Sequence, residues 1–186
     1  MKKAQYIILI LSLFVGFSCA VDESCRTNRS VLMDLGMYHV TKTDTSKVTA
    51  SFSFDSLTVR GLKYDNTANK YVYTDSILYN NEKSISKINL PLHSFESTSV
   101  FEVTFNGKTI KANVVTNKND TTVYVNKKDT LIVTHQNTDK YLSLECGSIK
   151  IHSVDTILTT KNFIDSIRIV NRKVNNINVE NIKIYK

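Results

Sequence analysis

Apolar and polar residues alternate along most of the chain with a period of two. That is the pattern of strands with one face on a core, because successive strand side chains point to opposite sides. Over residues 31–40, Val31, Met33, Leu35 and Met37 share one side and Tyr38 and Val40 take the other. Leu57 and Val59 alternate with Ser56, Thr58 and Arg60. The alternation over 84–92 meets Pro91, which cannot donate to a ladder and so marks an edge or a strand end. Residues 100–105, Asn106-Gly107 and 108–114 read as a tight hairpin, since Asn-Gly suits the type I′ turn. A central hairpin is predicted over 129–147, with Asn137-Thr138-Asp139-Lys140 as its break and Leu142, Leu144 and Cys146 facing the core. Residues 149–158, 163–170 and 182–185 alternate in turn, with Asn-rich breaks at 171–181. About ten strands at this spacing predict an all-β fold, an antiparallel β-sandwich of immunoglobulin-like or similar type, with a partly open barrel as the alternative.

Composition agrees with that pattern. A length of 186 residues suits one domain with a real core, and 41% hydrophobic content argues against disorder. One Pro and five Gly exclude Pro-rich and collagen-like architectures. The formal charge of +7 is carried by Lys and Arg scattered along the chain, with no run of five basic residues, which is a solvated mixed surface and not a nucleic-acid footprint.

The first residues read as an address. Met1-Lys2-Lys3 followed by ten nearly unbroken apolar residues, 6–15, has the charged and hydrophobic parts of a secretory signal peptide and is too short to span a bilayer. Gly16-Phe17-Ser18-Cys19 then resembles a bacterial lipoprotein box, in which the Cys19 thiol is acylated and becomes the first mature residue, although Gly16 and Phe17 depart from the usual Leu and small residue. The competing reading is an ordinary cleavage after Ser18 or Ala20. Cysteine parity favours lipidation, because exported chains use cysteines in pairs and assigning Cys19 to lipid leaves Cys25 and Cys146 as one disulfide. Such a long closed loop would restrict the unfolded chain by roughly 4 to 5 kcal/mol in the loop-entropy account. The alternative is two unpaired buried thiols. The expected organisation is a signal peptide at 1–18, a lipidated tether at 19–30 and a single β-sandwich domain at 31–186, anchored in the cell envelope at the outer membrane, on its periplasmic or surface side.

Several short stretches resemble an uncharacterised family of small Bacteroides-type lipoproteins: Cys25-Arg26, Asp55-Ser56-Leu57-Thr58-Val59-Arg60-Gly61, Leu90-Pro91-Leu92, Asp129-Thr130-Leu131, Glu145-Cys146-Gly147 and Ile182-Lys183-Ile184-Tyr185. The resemblance implies an exported lipoprotein with a β-rich domain and no assigned activity, so it carries over no catalytic residue.

Candidate chemistry is sparse. His39, His93, His135 and His152 are far apart and have no Cys or acidic residue at zinc-ligand spacing, so no metal or other cofactor is expected. Gly-x-Ser-x-Gly and phosphate-cradling glycine loops are missing. Cys146 beside His135 or His152 would be a nucleophile only if it left the core. Asp155 and Asp165 form a carboxylate pair of undefined separation. The surface that stands out is Tyr64, Tyr71, Tyr73 and Tyr79 among Asn and Asp in the irregular stretch 64–83, which reads as a loop offering flat apolar rings beside amides, suited to sugars or peptides. The expected function is therefore a non-enzymatic, membrane-anchored binding or envelope-structural module. A glycan- or peptide-binding module using the tyrosine loop is the alternative, and a hydrolase of unrecognised type comes last.

Overall fold

The computed structural model describes residues 29–42, 47–113 and 118–186. The predicted signal segment, Cys19 and Cys25 lie outside the described residues. Every regular element within them is a strand: β1 (Met33–Lys42), β2 (Lys47–Ser51), β3 (Phe54–Asp65), β4 (Lys70–Ile85), β5 (Lys87–Leu90), β6 (Thr98–Asn113), β7 (Lys118–Ser143), β8 (Gly147–Thr159), β9 (Ser166–Ile169), β10 (Lys173–Val174) and β11 (Glu180–Tyr185). They form two sheets. The larger runs β10-β8-β7-β6-β3-β4, antiparallel at each pairing; the smaller runs β2-β1-β11-β9, with β5 also on β1. The sheets pack face to face and neither closes on itself, so the molecule is a sandwich and not a barrel. The smaller sheet is mixed, because β1 and β11 pair in parallel. Parallel neighbours need a long crossover, and here nearly the whole domain is that crossover.

Alternation decides which face of each strand is buried. Met33, Leu35 and Met37 of β1, Ile88 and Leu90 of β5, and Ile182 and Ile184 of β11 meet Leu57 and Val59 of β3, Phe101, Val103 and Phe105 of β6, and Leu131 and Val133 of β7. Burial of aliphatic and aromatic side chains of this size contributes about 1.5–3 kcal/mol each. Pro91 directly follows β5, so the strand-end reading of that residue holds.

Two of the predicted turns lie elsewhere. The strand β7 runs straight through residues 137–140, and its hairpin with β8 turns at 144–146 instead. The polar run stays in the sheet because Asn137 finds buried partners, described below. Leu144 is 95% exposed at the turn, and Cys146, half-buried, donates its main-chain N–H to Ser143 Oγ at 3.0 Å. Both therefore sit at a hairpin tip and not on a core-facing strand. Gly147 closes that turn with φ of 69°, a left-handed value at which a side chain would be strained.

Asn106-Gly107 is likewise mid-strand, at a bulge where the β6–β7 register shifts between Phe105 and Gly107. Neither residue takes the left-handed φ that a type I′ turn requires. The glycine is there for space: a Cβ at Gly107 would lie 2.5 Å from Tyr124 Oη, and the Asn106 side chain accepts the Asn126 N–H at 2.6 Å. The stretch 64–83 is also more regular than expected. Only 66–69 turns, with Asp65 Oδ1 accepting from Thr67 and Ala68 N–H groups and Asn69 at φ of 50°. Residues 64 and 65 end β3, and 70–83 belong to β4, an edge strand in which Asn81 and Ser84 take left-handed φ of 54° and 57°.

Candidate functional site

The tyrosines predicted on a loop stand on strands. Tyr64 of β3 and Tyr71 of β4 are direct cross-strand partners, and Tyr73 of β4 is opposite Leu62 of β3. Cross-strand partners share a face, and the registers extend this one across the sheet. Tyr73, Leu62, Val100, Ile132 and Leu158 form one row over β4, β3, β6, β7 and β8. Leu62 and Val100 are buried yet absent from the inter-sheet core, which agrees with their place on the outer face. On one side of this row Thr134 pairs with both Thr98 and Thr156, in line with the Tyr64–Tyr71 pair; on the other Glu102 pairs with both Arg60 and Thr130. At a strand spacing of about 4.8 Å, the five-strand row is roughly 19 Å long.

Tyr64, Tyr71 and Tyr73 are 43%, 42% and 49% exposed, so each ring keeps a large open surface. Tyr64 and Tyr71 meet edge to face at 5.3 Å, and the Tyr64 hydroxyl donates to Asn69 Oδ1. Tyr73 donates its hydroxyl to Glu102 Oε1 at 2.9 Å, and Lys128 Nζ donates to the same oxygen at 2.9 Å. The Arg60 guanidinium lies 5.3 Å from the Tyr73 ring centre. Hydrogen bonding to Glu102 and then to Tyr73 raises the Lys128 ammonium above its ordinary pKa. Tyr73 is thus held in one orientation by neighbours that remain polar and accessible. Tyr79 does not belong to this group. It accepts the Asn89 N–H at 2.8 Å and packs against the core, joining the edge of the larger sheet to β5.

A second cluster was not legible in the sequence. Ser99 Oγ lies 2.9 Å from His135 Nε2, and His135 Nδ1 is 2.8 Å from Asn137 Oδ1, the distances of a nucleophile, base and orienting group. Ser99 is 0% exposed and His135 1%, however, so the hydroxyl has no approach for a substrate. Asn137 Oδ1 is shared with His152 Nδ1 at 2.7 Å, and its Nδ2 donates to the carbonyls of His93 and Glu96. The Oδ1 can only accept, so both imidazoles carry their proton on Nδ1, and Ser99 then donates to His135 Nε2 while accepting the His93 N–H at 2.8 Å. Burial lowers the pKa of both histidines, that of His152 to about 4, with the neighbouring imidazole adding to the shift of His152. The cluster is a polar brace that ties the 93–99 segment to β7 and β8.

The remaining candidates are dispersed. Cys146 at its hairpin tip is six residues along the chain from His152 and is not beside either buried imidazole. Asp155 is bound by Gln136 and Asp165 stands 3.9 Å from Lys186, so those carboxylates have separate partners. His39 lies with its Nδ1 2.5 Å from the Lys186 main-chain oxygen. Among the described residues no three His, Cys, Asp or Glu side chains converge as a metal site. The apolar row escaped the sequence reading because its members come from five strands, one residue each, and only the register brings them together.

Residues 56–186 match a family described as a family of unknown function (DUF6452). No curated protein and no solved structure matches the chain.

Proposed function

The chain belongs to this family of unknown function, whose membership supplies no activity, and we propose from the geometry that it is a non-enzymatic recognition module that binds an extended glycan on the outer face of its larger sheet. The observation that carries this reading is the group of exposed rings Tyr64, Tyr71 and Tyr73 at one end of an outer-face row whose middle, Leu62 and Val100, is buried and whose far end, Leu158, is exposed. Flat rings supply apolar area at small entropic cost, while Thr, Glu102, Arg60 and Lys128 supply donors and acceptors for hydroxyl groups. Exposed groups stand at both ends of the row, Tyr73 and Leu158, roughly 19 Å apart, a span that suits several linked sugar rings better than one.

In this reading the module is exported and held at the membrane by lipid on Cys19, with Cys25 and Cys146 bridged. Two observations support the bridge. Ser30 and Leu32 line a small cleft with Asn175 and Asn176, and Asn176 accepts a hydrogen bond from Lys140, which belongs to the hairpin that carries Cys146 at its tip. The five residues from Ser30 back to Cys25 reach up to about 17 Å.

The test is a glycan and peptide array probed with the wild type, Tyr71→Ala and Tyr73→Ala. The expected result is an oligosaccharide signal reduced at least about tenfold by either substitution, which truncates a stacking ring. Peptide-only binding, or binding that both variants retain, would reject the glycan reading. Labelling with radioactive palmitate tests the anchor: label lost in Cys19→Ala is expected, and an unlabelled wild type rules the anchor out.

A further inference from the structure

At the end of the sandwich where β1 finishes, the two sheets part around a cavity of about 770 Å³, within the usual size range of small-molecule sites. Its lining is contributed by segments far apart in sequence. Phe52 comes from the β2–β3 connection, Tyr124 from β7 and Phe163 from the segment between β8 and β9. The Tyr124 and Phe163 ring centres are 4.7 Å apart, and Phe105 backs Phe163 at 5.1 Å. The lining is fixed by contacts that are hard to move. Gly107 leaves the space that Tyr124 fills, and main-chain N–H groups hold Phe163 and Ile164 to the buried Asp129 carboxylate at 2.9 and 2.7 Å.

The rim is basic. Lys108, Lys127 and Lys186 line the cavity, against the single carboxylate of Asp165. Lys186 is engaged, with Nζ 4.3 Å from the Phe163 ring centre and 3.9 Å from Asp165. Among the described residues, Lys108 and Lys127 have no carboxylate within 4.0 Å. An aromatic floor beneath two uncompensated ammonium groups is complementary to a ligand that is apolar at one end and singly anionic at the other. A polyanion fits less well, because part of its charge would be pressed against Phe52 and Phe163, which offer no hydrogen bond.

We propose that this cavity binds an amphipathic carboxylate, its apolar body on Phe52, Tyr124 and Phe163 and its head group drawn to Lys108 and Lys127. The site shares no residue with the glycan-binding row and stands whether or not that row binds sugar. The test is calorimetric titration of the full mature chain at low salt with decanoate and with the uncharged decanamide, on wild type, the double variant Lys108→Gln/Lys127→Gln, and Tyr71→Ala. Decanoate is expected to saturate one site, and decanamide to bind about tenfold more weakly, since charge-assisted contacts are the stronger ones. The double variant should lose about tenfold for decanoate and nothing for decanamide, and Tyr71→Ala should match the wild type. Absence of saturable decanoate binding, equal affinity for the amide, or a double variant that binds decanoate like the wild type would overturn the proposal. Loss of binding in Tyr71→Ala would overturn it too, by moving the site to the other face.

Discussion

The Asp129 side chain gathers four hydrogen bonds. It is 1% exposed, on the same side of β7 as Leu131 and Val133, and its two oxygens accept from the Thr160 hydroxyl and from the N–H groups of Asn162, Phe163 and Ile164. A carboxylate with four donors offsets its own desolvation and at the same time fixes the segment that crosses from one sheet to the other. Asp129→Ala leaves three main-chain donors near the core without their acceptor, so at about 1–3 kcal/mol for each a loss of at least about 3 kcal/mol is expected, read from the urea midpoint. The histidine brace makes a different prediction. Burial lowers the folded pKa of His135 and His152, so as pH falls below about 6.5 the unfolded chain takes up protons that the folded chain refuses. The brace's contribution to stability should therefore be constant above about 6.5 and fall as pH drops toward 4, by about 1.4 kcal/mol per pH unit for each imidazole still neutral. A double variant His135→Gln/His152→Gln should lose most of that slope in denaturation series at stepped pH. Neither Asp129 nor the brace could be read from the sequence, because a buried polar residue looks like a surface one until its partners are known.

At the scale of elements, alternation identified the strands and two of the turns between them were misplaced. Residues 31–40 and 56–60 fall as their periodicity requires, because one face of each is dry. The Asn-Gly signal failed at residues 106 and 107 because tertiary packing used the glycine for close approach and the asparagine to hold Asn126. Gly107→Val should consequently displace the Tyr124 ring, lower the melting temperature and reduce the cavity's affinity for decanoate more than for any ligand of the outer face. A Gly107→Val protein with wild-type melting and wild-type decanoate affinity would contradict this role. The stretch 137–140 failed for the converse reason: a polar run continues in a strand when hydrogen bonds are supplied from both sides. The tyrosine residues were recognised for the right chemistry on the wrong scaffold. Strands hold three rings in fixed register where a loop would leave them mobile, and they turn Tyr79 away from the group.

In the whole molecule, β1 runs from one end of the sandwich to the other. It leaves the region of Ser30 and Leu32, near the Asn175–Asn176 cleft, and ends beside His39 at the mouth of the aromatic cavity. In a lipid-anchored chain the cavity would then open on the side away from the membrane, while the tyrosine row runs across the larger sheet. The Cys25–Cys146 bridge would join the tether to the anchored end, and its reduction is expected to lower stability by a few kcal/mol, up to roughly 4 to 5 by loop entropy. Non-reducing peptide mapping of protein purified from its envelope should recover the two cysteines in one cross-linked peptide; separate alkylated peptides would count against the bridge. The row, the cavity and the brace were not legible in the sequence, since each gathers residues of several strands that only the folded registers bring together.

The most direct test of recognition by the outer sheet is nuclear magnetic resonance of the protein with ring-labelled tyrosine, titrated with the oligosaccharide selected on the array. The account predicts that the signals of Tyr64, Tyr71 and Tyr73 move together and saturate at one concentration while those of Tyr79 and Tyr124 stay in place. Saturation with the three exposed rings unmoved would contradict it.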